Sequence, residues 1–342
     1  IYRIFDPTPF PAVMELLERE NILRPPPLEI PYRCRPPQPP SIAVLPFTNM
    51  SPDPDNEYFA DGISEELLNL LARIEGLRVP SRTSSFAFKD QNLDIREIAR
   101  QLEVNHVLEG SVRKAGAQVR ITAQLIDVDT DTHLWSETFD RELEDIFAIQ
   151  DEIAGAIVEQ LQITLQTGSG ADTEERRPTD NLEAYSLYLQ GRQLFQRRGD
   201  SLLDAEAVLR QALELDPDFA DAWATLALVK VTQTAYLASN SAENEAAALE
   251  AARRALALEV GSVDAQLALA QVDSARSRWS DALDRYAAIV DEHPQHALTR
   301  LWYAIALLTT GYTQEALRQT EAAVRLDPAS AVVLDWHARA LL

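Results

Sequence analysis

The feature that most constrains the fold of this chain is a repeat with a period of 34 residues in its C-terminal half. Four similar segments close successive units, each at the end of an apolar helical pattern: ALELDP (212–217), ALALEV (255–260), AIVDEHP (288–294) and AVRLDP (323–328). Pro328 follows Pro294 by 34 residues, and Pro294 follows Val260 by the same distance. A unit of this length cannot bury its apolar face alone, so the pattern predicts a stack of helix pairs.

Small and large side chains alternate between these segments. Small residues fall where the two helices of a unit approach each other, at Gly191, Ala227, Ala270 and Ala304 in first helices and at Ala205, Ala248, Ala282 and Ala316 in second helices. This arrangement and the 34-residue period are those of tetratricopeptide repeats. We therefore predict an all-α solenoid of about four repeats in residues 182–342, with a terminal helix from Ala331.

The second repeat is longer than the others. It closes 43 residues after Pro217, an excess of nine residues that we place between Thr232 and Glu245. This segment contains Tyr236 and Leu237 beside polar residues, so one interpretation is a contact surface for a partner. A tolerated surface insertion is the alternative, since each doubling of loop length costs only about 0.6 kcal/mol.

Repeat arrays hold peptides and partner helices on the concave face that their first helices form. The register of the repeats predicts five further contacts with a protein or peptide partner on this face: Lys230, Gln266, Asp273, Arg300 and Leu307. The tryptophans of the array could form a ligand cage, but three of the four fall at or near core positions, which favours packing: Trp223, Trp279, Trp302 and Trp336.

Residues 41–165 have a different pattern, in which short strands and helices alternate. An apolar strand at 42–46 leads into a long amphipathic helix, and GLRV (76–79) starts a second strand. A helix at 92–104 precedes an antiparallel pair, in whose second strand apolar residues alternate with polar ones: Val119, Ile121, Ala123 and Leu125. A further strand and a closing helix at 145–165 complete the order. The pattern predicts an α+β domain with a mixed sheet that helices cover on one side.

Two segments have the composition of linkers. Residues 1–40 contain a short helical pattern at 11–20 and then eight prolines between Arg24 and Pro40, a density that favours polyproline II and a stiff spacer. An SH3-type ligand is the alternative interpretation. Residues 166–181 are polar and charged and contain glycine and serine, which indicates a second linker.

The composition excludes several classes of function. The chain carries 31 basic and 54 acidic residues, a formal charge of −23, and no stripe of Lys and Arg that could neutralise phosphates, so nucleic-acid binding is not expected. No apolar run reaches the roughly 18 residues of a membrane helix, so we predict no membrane insertion. Cys34 is the single cysteine and rules out an intrachain disulfide, which suits a reducing compartment and also a periplasmic protein without disulfides.

The strongest catalytic candidate by position is the acidic stretch after the first strand. Asp53, Asp55, Glu57 and Asp61 lie where ligands often bind in open α/β sheets, which suggests a catalytic acid cluster, a metal site or a structural connection. No basic or nucleophilic side chain that could act together with these carboxylates is near in sequence. The chain has only 11 glycines and contains no glycine-rich phosphate-binding loop. Asp61 precedes GISEELL and can cap the helix there. We therefore predict a structural connection.

Two motifs resemble metal sites. DVDTDT (127–132) begins like a calcium loop, but Thr132 stands where that loop needs Gly and Thr138 where it needs Glu, so a polar hairpin turn is predicted. HPQH (293–296) places two histidines on a turn between repeats without a further ligand motif. We expect no metal site and no cofactor.

Serines and histidines supply the remaining candidates. Ser64, Ser84 and Ser85 lack the G-x-S-x-G elbow of hydrolases. His106 and His133 flank strands of an acidic domain, where carboxylates could raise a histidine pKa and create a pH switch, although a structural role is the simpler interpretation. We predict no catalytic residue in this chain.

Both halves resemble known bacterial modules. Residues 41–165 resemble the TolB amino-terminal-like domain through SIAVLPF, EYFADGISEELLNLLARI, RTSSFAFK, DIREIARQLEV, HVLEGSVRKAG, VRITAQLID, HLWSETFDREL and DIFAIQDEIA, which occur in order. Residues 182–342 resemble tetratricopeptide repeats. Members of this family place the pair after a class III adenylate cyclase domain, or after a winged-helix DNA-binding domain with a membrane helix, as in CadC-like regulators. The resemblance implies regulation and interaction and supplies no catalytic residues.

The resemblance and the residue patterns lead to one expected function. We expect a non-enzymatic regulatory, signal-input and protein-interaction module of a larger bacterial protein. The alternatives are the regulatory C-terminal part of a class III adenylate cyclase and a free-standing envelope assembly adaptor. IYRIF (1–5) resembles the end of an upstream domain and is followed by a spacer without a membrane helix, which favours the cytoplasm over a periplasmic location tethered by an upstream helix.

Overall fold

The computed structural model describes residues 40–53, 56–74, 76–91, 93–161, 178–236 and 241–342. The helical pattern at 11–20, the proline spacer, Cys34 and most of the second linker lie outside these residues. Among the described residues, no helix is both long enough and apolar enough to cross a bilayer.

The first half is built on one mixed sheet. Its strands are β1 (Ile42–Val44), β2 (Thr48–Asn49), β3 (His106–Ala115), β4 (Gln118–Asp127) and β5 (Thr132–Glu142). The order is β1-β3-β4-β5, in which β1 and β2 pair with β3 in parallel and β3, β4 and β5 form an antiparallel meander.

The strand predicted at Gly76–Val79 is reduced to a single bridge between Ser41 and Arg78. Pro80 follows directly and has no N–H to extend a ladder, which accounts for the early end. The hairpin predicted at DVDTDT is present as the turn between β4 and β5, where Asp127 Oδ1 accepts hydrogen bonds from the amide (2.8 Å) and the hydroxyl (2.7 Å) of Thr130.

Helices cover the sheet unevenly. They are α1 (Glu57–Ala72), α2 (Arg82–Phe86), α3 (Ile95–Leu102) and α4 (Ile146–Gln160). Apolar residues of α1 and α4 form one core with the inward residues of β3 and β4, whereas α3 covers the opposite face at β1 and the start of β3. The rest of that face carries the polar residues of β4 and faces solvent, as the alternation in the sequence predicts.

The second half contains nine helices among the described residues. They are α5 (Leu182–Arg197), α6 (Ser201–Leu215), α7 (Ala220–Tyr236), α8 (Ser241–Leu258), α9 (Val263–Ala275), α10 (Trp279–Glu292), α11 (Ala297–Thr309), α12 (Thr313–Leu326) and α13 (Ala331–Leu341). Consecutive helices pair as α5/α6, α7/α8, α9/α10 and α11/α12, and α13 packs on α12. The predicted fold class, an α+β domain followed by a helical solenoid, is confirmed.

The long second repeat extends its helices. Helix α7 has 17 residues and α8 has 18, whereas each helix from α9 to α12 has 13 or 14. Helix α7 is also strongly enclosed, because every side chain from Ala224 to Gln233 is buried. The extra residues therefore add about one turn to each of two packed helices.

Candidate functional site: two contacts between the halves

Helix α1 has two buried faces that serve different purposes. Phe59, Ile63 and Leu67 point into the core of the α+β domain and are almost completely buried. The opposite face packs on α5, the first helix of the repeat array. Gly62 lies on this face at the closest approach, because a Cβ there would come within 2.8 Å of the Leu189 side chain.

A network of charges surrounds this approach. Arg192 of α5 donates from Nη1 to Glu66 Oε1 over 2.8 Å and from Nη2 to Glu65 Oε1. Arg82 Nε donates to the other oxygen of Glu65 over 2.8 Å. Only 7% of the Glu65 side chain and 22% of the Glu66 side chain remain exposed. The two carboxylates thus share the guanidinium of Arg192, and Glu65 also pairs with the guanidinium of Arg82.

The two carboxyl groups consequently differ in pKa. Burial alone would raise the pKa of Glu65, but the charges of Arg192 and Arg82 outweigh it and lower the pKa. Burial raises the pKa of Glu66 to about 7, with further contributions from Asp221 and Glu65 and with Arg192 opposing. Glu65 is therefore the ionised partner of Arg192, whereas Glu66 titrates near neutral pH.

The prediction that Asp61 caps a helix is wrong. Helix α1 begins earlier, at Glu57, so Asp61 lies in its second turn, where its side chain is buried. Asp61 Oδ1 accepts from Lys89 Nζ (2.5 Å) and Oδ2 accepts from Gln193 of α5 (3.1 Å). Glu57 pairs with the same ammonium over 2.6 Å. Of the four acidic residues, Asp61 therefore contacts the array directly and Glu57 shares Lys89 with it, whereas Asp55 lies outside the described residues.

Aromatic side chains form the apolar centre of this contact. Tyr185 of α5 is 1% exposed and meets the ring of Phe147 edge-on, with ring centroids 4.8 Å apart. Gln150 of α4 donates to the Tyr185 hydroxyl over 3.4 Å, and burial strongly raises the pKa of that phenol. We call the contact of α1 and α4 with α5 the junction. One hydrophobic cluster runs through the junction from the sheet into the first repeats.

A second contact lies at the other end of the array. Ser84 Oγ, in α2, donates to Asp327 Oδ1 over 2.6 Å and accepts from the amide of Ala329 over 2.9 Å. The amide of Ser81 donates to the carbonyl of Leu326 over 2.9 Å. Asp327 is 5% exposed, and this burial raises its pKa in spite of the hydroxyl donors around it.

Two further hydrogen bonds extend this second contact. Gln295 Nε2 donates to the carbonyl of Leu77 over 3.1 Å, and Arg78 Nη1 donates to the carbonyl of Arg325 over 3.3 Å. We call the hydrogen bonds of residues 77–84 with Gln295 and with residues 325–329 the distal contact. The α+β domain thus touches the first repeat and also the turn before α13.

Three of the predicted partner contacts have buried side chains. Lys230 is 8% exposed and donates to Glu206 (2.9 Å) and Gln233 (3.0 Å). Asp273 is 5% exposed and pairs with two arginines of the same repeat, including Arg285 at 2.8 Å. Leu307 is 4% exposed. In this arrangement, these side chains hold the repeats together.

The remaining predicted contacts are more open or lie at the edge of the described residues. Gln266 is half-buried, and so is Arg300, whose Nη1 donates to Gln319 over 2.8 Å. Tyr236 is the last residue of α7, and Leu237 lies outside the described residues. The structure does not bring the seven residues together into one site, and their role as partner contacts stays a prediction.

The candidate histidines and the tryptophans lie in different parts of the fold. His106 Nδ1 lies 3.2 Å from the carbonyl oxygen of Ser41, and His133 is exposed at the start of β5. His296 Nδ1 lies 2.6 Å from Thr299 Oγ1, and burial lowers its pKa although Asp264 opposes this. The tryptophans are all half-buried and lie on separate helices or repeats. No group of three or more metal-ligating side chains converges within the described residues.

Sequence reasoning missed the junction and the distal contact. The apolar period of α1 predicts one buried face, and nothing in that helix indicates that Glu65 and Glu66 meet an arginine more than 120 residues later. A signal was present in α5, where Arg192 follows Tyr188 by four residues and precedes Phe195 by three, which places the cation on the same side of the helix as these two aromatic residues. A cation among apolar residues of a packed helix requires a buried counter-charge.

Comparisons with known proteins match parts of this chain. Residues 38–156 match the family model "HilA/YgeH-like transcriptional regulator, second domain". A protein of Rhizobium meliloti (strain 1021) named putative adenylate cyclase 3 is 46% identical over 216 residues, which are 63% of this chain and 36% of that protein. The chain therefore spans little more than a third of this curated relative.

Similarity to solved structures is low for both halves. A thermophilic TPR protein from Thermus thermophilus, TTC0263, is 15% identical over 58% of this chain and 94% of its own, with a TM-score of 0.41. TolB from Acinetobacter baumannii is 19% identical over 37% of this chain and 29% of its own, with a TM-score of 0.27. The tetratricopeptide-like fold of the second half accordingly rests on its helix pairs and its 34-residue period, and the TolB-like fold of the first half stays a prediction.

Proposed function

We propose that this chain is a non-enzymatic regulatory and protein-interaction module of a larger bacterial protein, in which a TolB amino-terminal-like domain and tetratricopeptide repeats act as one unit. The observation that carries the proposal is the junction, where Arg192 of the array holds Glu65 and Glu66 of the α+β domain in a largely buried network. A partner bound by the repeats acts on the α+β domain through the contacts that join the two halves.

The relatives support two candidates for an attached output domain. A class III adenylate cyclase is the first candidate, because a relative named putative adenylate cyclase shares 46% identity over 216 residues. A transcriptional regulator is the second candidate, because residues 38–156 match a regulator domain. The coding sequence upstream of Ile1 distinguishes them, since a cyclase domain supports the first, a winged helix supports the second, and a signal peptide directly before Ile1 contradicts both.

The carboxylates nearest to a catalytic arrangement already have structural partners. Asp61 and Glu57 neutralise Lys89, and Glu65 neutralises Arg192 and Arg82. We therefore expect the purified chain to show no hydrolysis or cyclisation of ATP. Turnover that is lost on Asp53→Ala or Asp61→Ala would contradict the non-enzymatic assignment.

A variant of the junction tests the regulatory role in the complete protein. Arg192→Glu places a third carboxylate beside Glu65 and Glu66, so we expect a change in the output activity at unchanged protein level. Arg254→Glu is the matched control, because Arg254 is 47% exposed and pairs with Asp218 on the surface of the array. Equal output from wild type and Arg192→Glu would show that the junction transmits nothing.

A further inference from the structure

The junction and the distal contact differ in how much apolar surface the two halves share. At the junction, Tyr185 and Leu189 are 1% and 2% exposed and belong to a hydrophobic cluster shared by both halves. At the distal end, the apolar cluster around Leu301 contains residues of the array alone, and hydrogen bonds connect the array to the α+β domain. Separation of the junction would expose this apolar surface to water, whereas separation of the distal contact exchanges hydrogen bonds within the protein for hydrogen bonds to water, which costs less.

These two contacts fix the curvature of the array. A repeat array bends by small rotations between neighbouring repeats. The junction holds the first repeat and the distal contact holds the turn before α13, so together they restrict these rotations. The first helix of the second repeat, α7, is buried at every side chain from Ala224 to Gln233 and packs between α6, α8 and α9. A protein that binds these side chains requires neighbouring repeats to rotate apart first.

We infer that the distal contact is a releasable latch that holds the repeat array closed, and that the junction is the fixed point about which the array opens. This inference rests on the proposed function, because the inner face that opens is the surface on which a protein partner would be held. The hydrogen bonds between Ser84 and residues 327–329 are the centre of the latch. When the turn before α13 moves away, Asp327 and Ser84 both regain water, so release leaves neither of these polar groups buried and unpaired.

The test measures two distances in the full chain by pulsed electron spin resonance, with spin labels on introduced cysteines and Cys34→Ser as background. One pair, Gln101→Cys and Ala331→Cys, spans the distal contact from exposed positions on α3 and α13. The other pair, Gln160→Cys and Arg197→Cys, spans the junction from exposed ends of α4 and α5. Each pair is measured alone and combined with a latch variant.

Two variants break the latch from opposite sides. Asp327→Lys places an ammonium against the N-terminal turn of α2, and Ser84→Arg fills the same space from the α+β domain. For either variant that retains the helix content of wild type, we expect more than half of the molecules to shift to a longer distal distance while the junction distance stays unchanged. Ser85→Ala, adjacent to the latch, should leave both distances as in wild type.

Two results would overturn the inference. In the first, both latch variants keep the distal distance of wild type, or lose their fold instead of opening. In the second, the distal and junction distances lengthen together, which means that the halves separate as rigid bodies. The measurement needs no partner, so it is independent of whether the output assay in the complete protein supports the proposed function.

Discussion

Ser84 and Ser85 are adjacent, equally buried and chemically identical, but they make different contacts. Ser84 Oγ bonds to Asp327 and to the amide of Ala329, whereas Ser85 Oγ has no hydrogen-bond partner among the described residues. We expect Ser84→Ala to lower the free energy of unfolding by about 1–3 kcal/mol, because the buried Asp327 carboxylate and the amide of Ala329 both lose this partner. Ser85→Ala should be neutral or stabilising, since it removes an unsatisfied hydroxyl. Urea unfolding of both variants decides this, and equal losses would contradict it.

Glu66 makes the stability of the chain depend on pH near neutrality. Its pKa is about 7 in the fold against 4.5 in the unfolded chain, so its contribution to stability is fully present below pH 4.5 and is lost as the pH rises to about 7. The shift corresponds to at most about 3 kcal/mol, and less because water reaches part of the side chain. We expect Glu66→Gln to remove this loss, so that the variant gains stability relative to wild type between pH 5 and pH 8.

The control for this pH dependence is Glu250→Gln, which removes an exposed carboxylate on α8 away from the junction. Its unfolding midpoint should follow that of wild type across the same range. A difference between wild type and Glu66→Gln that stays constant from pH 5 to pH 8 would show that Glu66 does not titrate there.

Single helices show what local sequence can and cannot predict. The spacing of apolar residues predicts α1 and its sheet-facing side correctly, because that side is a property of one segment. The predicted start of α1 lies too late in the chain, because Asp61 looks like a cap when only its neighbours in sequence are considered. Its real partners, Lys89 and Gln193, come from other elements, and only the tertiary structure brings them near.

The insertion in the second repeat is partly structural. Asn244 is buried in α8, and Glu245 pairs with Arg276 of the third repeat over 3.1 Å. Deletion of residues 237–245 therefore removes the first turn of α8 as well as the segment before it. We expect a variant that keeps most of its helix content but unfolds at lower temperature, and that captures protein partners less well.

A smaller change separates these two effects. Glu245→Gln removes the ion pair with Arg276 and leaves the length of the segment unchanged, so it should lower stability without altering partner capture. Unchanged affinity of the deletion variant for every partner would mean that the insertion is a passive extension of the helices.

The architecture of the whole molecule was predictable because it depends on periodicity. A 34-residue repeat and a β-meander are visible as patterns in the sequence, and they define both halves. The way the halves fit together was not predictable, because it depends on a few polar pairs of large sequence separation, such as Glu65 with Arg192 and Ser84 with Asp327. No periodic pattern encodes such pairs, since each involves one residue of each element.

The charge of the whole chain leads to a last prediction. With 31 basic against 54 acidic residues, the chain lacks the excess of cations that nonspecific binding to DNA requires. The structure lowers the number of cations available to DNA further, because carboxylates of the same chain already form ion pairs with four basic residues: Arg82, Lys89, Arg192 and Lys230. We therefore expect no retention of random duplex DNA at physiological salt in a mobility-shift assay. A shift that weakens as salt is added would show that a cationic surface forms after all, and it would favour a direct role in transcription over regulation of an attached domain.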